Sequence, residues 1–348
     1  MKNGKTLRIL MVQGTPVGAA NPAAWIWANR QANSLSELDC IVETYEFLNR
    51  RSISGLLSGG LALRRKIRDF RADLVHVHFA AAQALVAVLF SPVPVVISYC
   101  GSDLLGNYDS CGNKTWSGYF SGWLSKMAAL GAKASIAKTD QLKQALWFAS
   151  CRNSCVVIPN GVNLEQFSPV PRFKAREVLG WSQEDQVVLF MDRKGAWVKD
   201  PQLAHQVYEK AKFSVPTLRM HVIESVSPDQ MPLLLNAADV LLITSRHEGS
   251  NNTVKEALAC NLPIVSGPVG DIPERLKGVS PSMVVPRNID SMANAIIEIV
   301  RHSVRSNGRE HVLHLSLSAI SLRVFDVYHN VIDGAQGNVK RYSNVMGY

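Results

Sequence analysis

Short apolar segments alternate with longer amphipathic segments along almost the whole chain. In the first half, residues 7–13, 74–78 and 93–99 have the composition of buried strands. Each of them has a neighbouring segment in which apolar residues recur at helical spacing. Parallel strands need long crossover connections, so this alternation predicts an α/β protein with a mostly parallel sheet that is covered on both faces. The alternation resumes at residue 186, which predicts a second sheet of the same kind.

A turn-rich segment at residues 159–171 separates the two halves. A chain of 348 residues is long enough for two domains with proper cores. We therefore expect one doubly wound domain over residues 1–165 and a second over residues 166–317, followed by a last helical pattern.

The composition is that of an ordinary globular protein, with 47% hydrophobic and 19% charged residues. The apolar run at 9–12 is too short for the core of a signal peptide, and prolines interrupt the longer apolar region at 80–100. The six cysteines show no zinc-binding spacing, which favours free thiols in a reducing compartment. We expect a cytoplasmic protein.

The formal net charge of +9 is concentrated in the first half, largely in the basic run from Arg64 to Arg71 on a helix predicted to start near residue 53. One interpretation is a solvated basic helix face. The other is peripheral contact with anionic headgroups on the inner face of the plasma membrane. No basic stripe interleaved with aromatic residues is present, so we expect no nucleic-acid partner.

The most informative segment places Glu248 just after a predicted buried strand and Glu256 in the first turns of the next helix, with seven residues between them. The loop between them offers backbone N–H groups at Gly249, Ser250, Asn251 and Asn252. Ligands of α/β sheets collect at the carboxyl ends of strands, and helix N-termini bind phosphates. A ligand with a diphosphate and hydroxyls at both ends, such as a nucleotide sugar, fits this pattern.

The order of these parts resembles glycosyltransferase family 4, whose members are retaining enzymes with the GT-B fold. The resemblance rests on the paired glutamates, the following Pro-Ile-Val strand and the Gly-rich loop ending at Glu274, and on the Pro-Asn-Gly-Val phrase from residue 159. It covers nearly all of the second half and only scattered landmarks of the first. It implies two Rossmann-like domains that face a central cleft, with the donor sugar on the second domain and a final helix, about 318–348, packed back on the first.

The resemblance also implies roles for residues at matching positions. Arg193 and Lys199 would hold the donor diphosphate, although Asp192 stands where the family has a glycine. Glu248 would orient the donor sugar and favour positive charge at its anomeric carbon. Glu256 would bind the ribose hydroxyls, and its alternative interpretation is a capping box with Thr253.

In the first domain, the strand Asp73-x-x-His76-x-His78 resembles a family strand whose second histidine contacts the donor. His78 is therefore a candidate catalytic residue, with a structural, hydrogen-bonded histidine as the alternative. Gly14 and Gly18 stand near a family glycine pair that contacts phosphate and acceptor, but Ala19 follows Gly18 here. Cys100 replaces a family histidine, so no proton transfer is assigned to it.

Together these features predict a retaining transferase that moves a hexosyl-type sugar from a UDP- or GDP-linked donor to a hydroxyl of a polysaccharide, lipid-linked sugar or similar glycoconjugate. No cofactor or metal is expected, because fixed cations and a helix N-terminus would neutralise the diphosphate. A non-catalytic relative and a nucleotide-sugar epimerase are alternatives. A nicotinamide-dependent dehydrogenase fits less well, since Gly14-x-x-x-Gly18 lacks the Gly-x-Gly-x-x-Gly spacing.

Overall fold

A computed structural model describes residues 6–14, 25–47, 52–192 and 197–334 of the chain. It contains two parallel sheets, one of six strands and one of five. The predicted α/β class with two doubly wound sheets is confirmed. Arg193 and Gly18 lie outside the described residues, as does the segment after residue 334 in the predicted final helix.

The first sheet has the strand order β2-β1-β3-β4-β5-β6. Its strands β1 to β6 are, in turn, Leu7–Gly14, Cys40–Phe47, Leu74–His78, Val95–Tyr99, Ala134–Ala137 and Cys155–Val157. The helices α1 to α7 among them are Ile26–Ser36, Ile53–Phe70, Ala81–Phe90, Ser102–Leu105, Trp116–Gly131, Asp140–Gln144 and Ala149–Asn153. The strand order reverses between β1 and β3, where a doubly wound sheet opens a crevice for ligands. Gly14 and His78 are the last residues of these two strands.

The second sheet has the order β11-β10-β9-β7-β8. Its strands β7 to β11 are Gln186–Met191, Leu218–Ile223, Val240–Ile243, Ile264–Ser266 and Met283–Val284. The helices α8 to α13 of this half are Arg172–Leu179, Pro201–Ser214, Met231–Ala237, Asn252–Ala259, Ile272–Arg275 and Ile289–His302. Here the order reverses between β7 and β9, so the segments after these two strands border the second crevice.

The chain passes between the two domains twice, and the two passages lie side by side. Val162 N–H donates to the Leu315 carbonyl at 2.8 Å, and Leu317 N–H donates to the Val162 carbonyl at 3.1 Å. The last helix, α14 (Leu317–Ile332), then packs against α1 of the first domain. The apolar side of α14 is buried there, including Val324 and Tyr328.

Helical periodicity predicts an apolar face on α2 made of Ile53, Leu56, Leu57, Leu61, Leu63, Ile67 and Phe70. This prediction is wrong in part. Leu63 and Ile67 are buried as expected, but Ile53, Leu57 and Leu61 are exposed. The helix instead presents a glycine face, Gly59 and Gly60, to aromatic rings of neighbouring elements. A Cβ added at Gly60 would lie 2.6 Å from the Phe90 ring, and one at Gly59 would lie 2.7 Å from the Phe47 ring. The helix therefore packs by its glycines there, and the three larger side chains face solvent.

The sequence also predicts one helix over residues 141–148. This prediction is wrong, because α6 ends at Gln144 and α7 begins at Ala149. The Arg152 guanidinium accounts for the break, since it donates to the Leu146 carbonyl at 2.6 Å and the Trp147 carbonyl at 3.1 Å. Trp147 and Phe148 remain exposed in the connection.

The cysteines are free thiols, and all six lie in the described part of the chain. Of the helices in that part, none is both long and apolar enough to cross a bilayer.

Candidate active site

The structure brings Glu248 and Lys199 together between the ends of β7 and β9. The Lys199 ammonium lies 2.5 Å from Glu248 Oε1, which also accepts a hydrogen bond from the Ser245 hydroxyl at 2.6 Å. Lys199 closes a single 3-10 turn, Trp197–Lys199, and Glu248 follows β9 at the edge of the second crevice. A carboxylate and an ammonium group thus stand at the reversal of strand order, where a polar ligand would enter.

The loop from Gly249 to Asn252 leads directly into α11. Asn251 is the N-cap, since its side-chain oxygen accepts from the backbone N–H groups of Thr253 at 2.9 Å and Val254 at 3.4 Å. The capping box between Thr253 and Glu256 is therefore not formed. The eight-residue helix directs its N-terminal dipole toward the cleft.

This loop is also close to the other domain and to the loop after β10. A Cβ added at Gly249 would lie 3.4 Å from the Cys100 carbonyl of the first domain. Gly270 has a positive φ of 57°, and a Cβ there would lie 2.5 Å from the Gly249 carbonyl. The approach at Gly270 requires glycine, whereas a Cβ at Gly249 would make only an ordinary van der Waals contact.

The Glu256 carboxylate is bound by a cation of the first domain. Arg30 Nη1, on α1, lies 3.1 Å from Glu256 Oε1, and Arg30 Nη2 donates to the Gln166 side chain at 2.8 Å. Burial raises the pKa of the Glu256 carboxyl, and the charge of Arg30 opposes that rise. The pair spans the two domains beside the loop that precedes α11.

His76 and His78 lie on the same side of β3, as strand alternation predicts, with their ring centroids 4.2 Å apart. His76 is the hydrogen-bonded member, between the Tyr328 hydroxyl at 2.6 Å and the Ser98 hydroxyl at 2.8 Å. Within the described residues, neither ring nitrogen of His78 has a hydrogen-bond partner, and the ring packs 5.1 Å from that of Trp27. Burial lowers the pKa of both histidines, which are therefore neutral.

Asp103 organises the loop after β4. Its buried carboxylate accepts hydrogen bonds from the backbone N–H groups of Ala80 at 2.9 Å, Cys100 at 3.0 Å and Gly101 at 2.7 Å. Burial raises the pKa of the Cys100 thiol to about 12, so the thiol that replaces the family histidine stays protonated.

Two buried lysines near these groups were not predicted from the sequence. Lys138 follows β5 directly, and Lys255 stands beside Glu256 on α11. The Lys255 ammonium donates to the Asn160 carbonyl at 2.9 Å and the Ser250 hydroxyl at 3.2 Å. Burial, with the nearby Arg275, lowers the pKa of Lys255 to about 7. The position of Lys138 at a strand's carboxyl end is the signal that could have identified it.

An aromatic contact joins the domains at the entrance to the cleft. The Tyr108 ring of the first domain stacks 5.4 Å from His247 and 5.6 Å from Trp197, both in the second domain. The Arg246 guanidinium lies 4.9 Å from the centre of the Trp197 ring. These residues flank Lys199 and Glu248 in sequence, so the contact closes one side of the candidate site.

In the described part of the chain, no three His, Cys, Asp or Glu side chains are placed together to hold a metal ion. The site residues predicted from the sequence fall into three groups in the structure. Glu248, Lys199 and the 249–252 loop lie together, Glu256 is paired with Arg30, and His78 and Gly14 end adjacent strands of the other domain. Their roles stay predictions.

Comparison with known proteins gives matches to glycosyltransferases along both domains. Residues 24–166 match the family model described as Glycosyltransferase Family 4, and residues 198–302 match the model described as Glycosyl transferases group 1. These matches support membership of the family and agree with the resemblance inferred from the motifs.

Two curated relatives share limited identity with the chain. A candidate teichuronic acid biosynthesis glycosyltransferase, TuaC of Bacillus subtilis, is 26% identical over 66% of this chain and 62% of its own length. The D-inositol 3-phosphate glycosyltransferase of Mycobacterium marinum is 28% identical over 44% of this chain and 38% of its own length. The chain thus spans less than two thirds of either relative.

Solved structures match the fold over nearly the whole chain. The sucrose-phosphate synthase of Thermosynechococcus elongatus superposes with a TM-score of 0.76 at 16% identity, covering 94% of this chain and 100% of that structure. The Anabaena protein HepE, solved in complex with UDP, superposes with a TM-score of 0.63 at 15% identity. The match covers 94% of this chain and 99% of that structure. Together with the two parallel sheets, these matches establish the GT-B fold.

Proposed function

We propose, on the premise that this chain is a glycosyltransferase of the GT-B fold, that it moves a hexosyl-type sugar from a nucleotide diphosphate sugar to an acceptor hydroxyl with retention of configuration. The observation that carries the proposal is the contact between Lys199 and Glu248 at the strand-order reversal of the second domain. It supplies a cation for a diphosphate and a carboxylate for a sugar within one crevice.

The leaving diphosphate gains negative charge as its bond to the anomeric carbon lengthens. Groups fixed in advance around such a charge accelerate reactions strongly, by about 10²–10³ for a single hydrogen-bond donor. Lys199 and the backbone N–H groups of Gly249 to Asn252 are such groups, and Arg193 would join them. We include the N-terminus of α11 for the same reason.

In this proposal Glu248 orients the donor ring and stabilises positive charge at the anomeric carbon, while Glu256 binds the ribose hydroxyls. His78 contributes a neutral imidazole to sugar hydroxyls in this proposal, since its two buried ring nitrogens have no partner within the described residues. Gly14, at the neighbouring strand end, lies on the acceptor side of the cleft in this proposal.

The acceptor oxygen forms its bond to the anomeric carbon on the face from which the phosphate oxygen departs. The departing phosphate oxygen takes the acceptor's proton, so the step needs no protein base. It needs no protein nucleophile either, because the acceptor attacks the anomeric carbon directly. The proposal includes neither a metal nor a cofactor, because Lys199, Arg193 and amide dipoles neutralise the diphosphate. Unchanged turnover in excess EDTA is the expected result.

For the donor, UDP sugars are the first choice for testing, followed by GDP sugars. The structural neighbour HepE was solved with UDP, at an identity that shows only the fold. For the acceptor we propose a glycan or lipid-linked sugar, with the enzyme peripheral on the cytoplasmic face of a membrane.

The first domain offers a surface for such membrane contact. The basic helix α2 exposes Ile53, Leu57 and Leu61 just before the run from Arg64 to Arg71. Helix α3 packs against both α2 and α5, so the three helices lie side by side. On α5, four aromatic side chains at helical spacing are exposed: Trp116, Tyr119, Phe120 and Trp123. Aromatic rings together with Lys and Arg are typical of surfaces that sit in a bilayer interface.

A donor panel tests the central proposal. UDP-, GDP-, ADP- and TDP-sugars are compared by thermal shift and by release of the nucleotide diphosphate, for wild type, Glu248→Gln and Lys199→Met. We expect one nucleotide to stabilise the protein, and both variants to lower kcat/KM by about 10²-fold or more. Lys210→Met is the matched control, because Lys210, near the C-terminal end of α9, forms an exposed ion pair with Asp290 of α13.

Equal stabilisation by all four sugars, or wild-type turnover in both variants, would overturn the proposal. The anomeric configuration of the product, read by NMR, tests retention. Conversion of the donor to an epimer without any acceptor would instead establish the epimerase alternative.

A further inference from the structure

Lys138 is a buried cation without a counter-charge in contact with it. Its side chain is 2% exposed, and its ammonium group has no hydrogen-bond partner among the residues the structure describes. Removing an ammonium group from water without a partner costs several kcal/mol. Burial accordingly lowers the pKa of Lys138, and an anion bound beside the ammonium group would stabilise its charged form.

The neighbouring residues do not supply such an anion. The Asp103 carboxylate influences Lys138 at a distance but is already bonded to three backbone N–H groups. The charge of Lys138 in turn lowers the pKa of His78 and of Lys255, so the three basic groups are within electrostatic reach of one another. Lys255 itself is bonded only to uncharged oxygens. Within the described residues, neither lysine ammonium is therefore in direct contact with a carboxylate.

Lys138 borders a cavity of about 520 Å³ between the domains. Its charged lining residues from the second domain are Asp271, Glu274, Arg275 and Lys277, with His311 and His314 beside them. Asp271 is paired with Arg275 at 2.6 Å, and the other two lining carboxylates, Asp140 and Glu274, are exposed at the rim. The buried charge in the lining is thus Lys138, and the volume suits a monosaccharide with one substituent.

We infer that Lys138 binds an anionic group, a phosphate or a carboxylate, carried by the acceptor sugar in this interdomain cavity. The inference deepens the proposed function and rests on it, because only a glycosyl transfer makes the bound sugar an acceptor. The donor diphosphate already has Lys199 and the N-terminus of α11, whereas Lys138 lies at the end of β5 and across from the loop that follows Gly270. The anion therefore belongs to a second substrate.

Direct binding to purified protein tests the assignment. The probes are glucose, glucose 6-phosphate, glucuronate and UDP, measured by calorimetry with wild type, Lys138→Met and Lys133→Met. Lys133 is the matched control, because it stands exposed at the opposite end of the same strand. We expect at least one of the two anionic sugars to bind wild type 10-fold or more tightly than glucose does.

Lys138→Met should remove that 10-fold preference, and Lys133→Met should keep it. Binding of UDP should change less than twofold in both variants. The affinities for glucose 6-phosphate and for glucuronate are then compared. The tighter of the two ligands shows whether the site prefers a phosphate or a carboxylate. Absence of any preference for an anionic sugar in wild type would overturn the inference, and so would a preference that survives in Lys138→Met.

A parallel loss of UDP binding would place Lys138 at the donor diphosphate and likewise overturn it. Failure of the proposed function looks different, because wild type would then neither bind nor turn over any nucleotide sugar.

The melting temperature gives an independent readout. Replacing an uncompensated buried charge with a side chain of similar volume should raise the melting temperature in anion-free buffer. A structural lysine would give a lower value, which would contradict the inference. Lys138→Gln serves the same comparison if the methionine variant does not fold.

Discussion

Arg30 and Glu256 form an ion pair of 3.1 Å across the two domains, although 226 positions separate them in the chain. Glu256 is the carboxylate proposed to bind the ribose, and in this arrangement a guanidinium of the other domain occupies one of its oxygens. A nucleotide that uses Glu256 must therefore share it with Arg30 or displace the guanidinium.

Arg30→Met should destabilise the protein by about 3 kcal/mol, because breaking a largely buried pair leaves the remaining charge without compensation. The double variant Arg30→Met/Glu256→Gln should recover most of that loss, as measured by urea unfolding. Lys66→Met is the control, since its pair with Glu43 is more exposed and should be worth less than about 1 kcal/mol. No recovery in the double variant would mean that the pair itself is not the cause.

Gly112→Ala should weaken the aromatic contact that closes the cleft. The residue has a φ of 84°, and an added Cβ would lie 2.3 Å from the Trp197 ring. Gly180→Ala is a control with similar backbone strain, because Gly180 has a φ of 67° and no atom within 4 Å of the added Cβ. We expect comparable losses of stability of about 1 kcal/mol from the strain alone, with a several-fold larger loss of kcat/KM in Gly112→Ala. Equal activities would show that this contact does not matter for turnover.

Stability should fall in mild acid because of His76. Burial, aided by Lys138, lowers the pKa of His76 from 6.5 to about 3. Below pH 6.5 the His76 imidazole binds a proton in the unfolded chain but not in the folded chain. The free energy of unfolding therefore decreases as the pH falls toward 3. One histidine contributes about 1.4 kcal/mol per pH unit.

Between pH 6.5 and 5, wild type should thus lose about 2 kcal/mol more than His76→Gln in urea unfolding. His302→Gln, exposed at the end of α13, should behave like wild type. Identical pH dependence in all three proteins would contradict the prediction.

Vesicle binding should depend on the aromatic side of α5. Trp116 is 90% exposed and Phe120 is 61% exposed. The double variant Trp116→Ser/Phe120→Ser should reduce co-sedimentation with vesicles rich in phosphatidylglycerol by 5-fold or more. Added salt should weaken the binding of wild type, because the basic side chains of α2 contribute.

Phe213→Ser is the control for this experiment, since Phe213 is 92% exposed but lies on α9 in the second domain. Equal loss in this variant would indicate non-specific adsorption. Capture of a protein partner by wild type with no vesicle binding would assign the surface to that partner instead.

The sequence predicted the parts of the fold that depend on local periodicity and on strand ends. Parallel sheets, the loop around Glu248 and the common side of His76 and His78 all follow from patterns within about ten residues. The exposed half of α2 did not follow, because the glycine face is selected by Phe47 and Phe90, which belong to other elements. A hydrophobic pattern does not reveal that a helix packs by its smallest residues.

The same limit applies to the site. Arg30 looks like any solvated charge on a helix, since its partner Glu256 is brought to it only by the arrangement of the domains. Lys138 and Lys255 look equally ordinary, because burial of a lysine depends on the packing of both domains around it.

The two adjacent passages near Val162 and Ser316 have a practical consequence for protein engineering. Helix α14 comes from the end of the chain, yet its Tyr328 hydroxyl completes the hydrogen bonding of His76 inside the first domain. A chimera that exchanges the first domain with that of a relative must therefore transplant two separate pieces of sequence. A single cut at the first passage would leave the grafted lobe with a foreign closing helix and an incomplete interior.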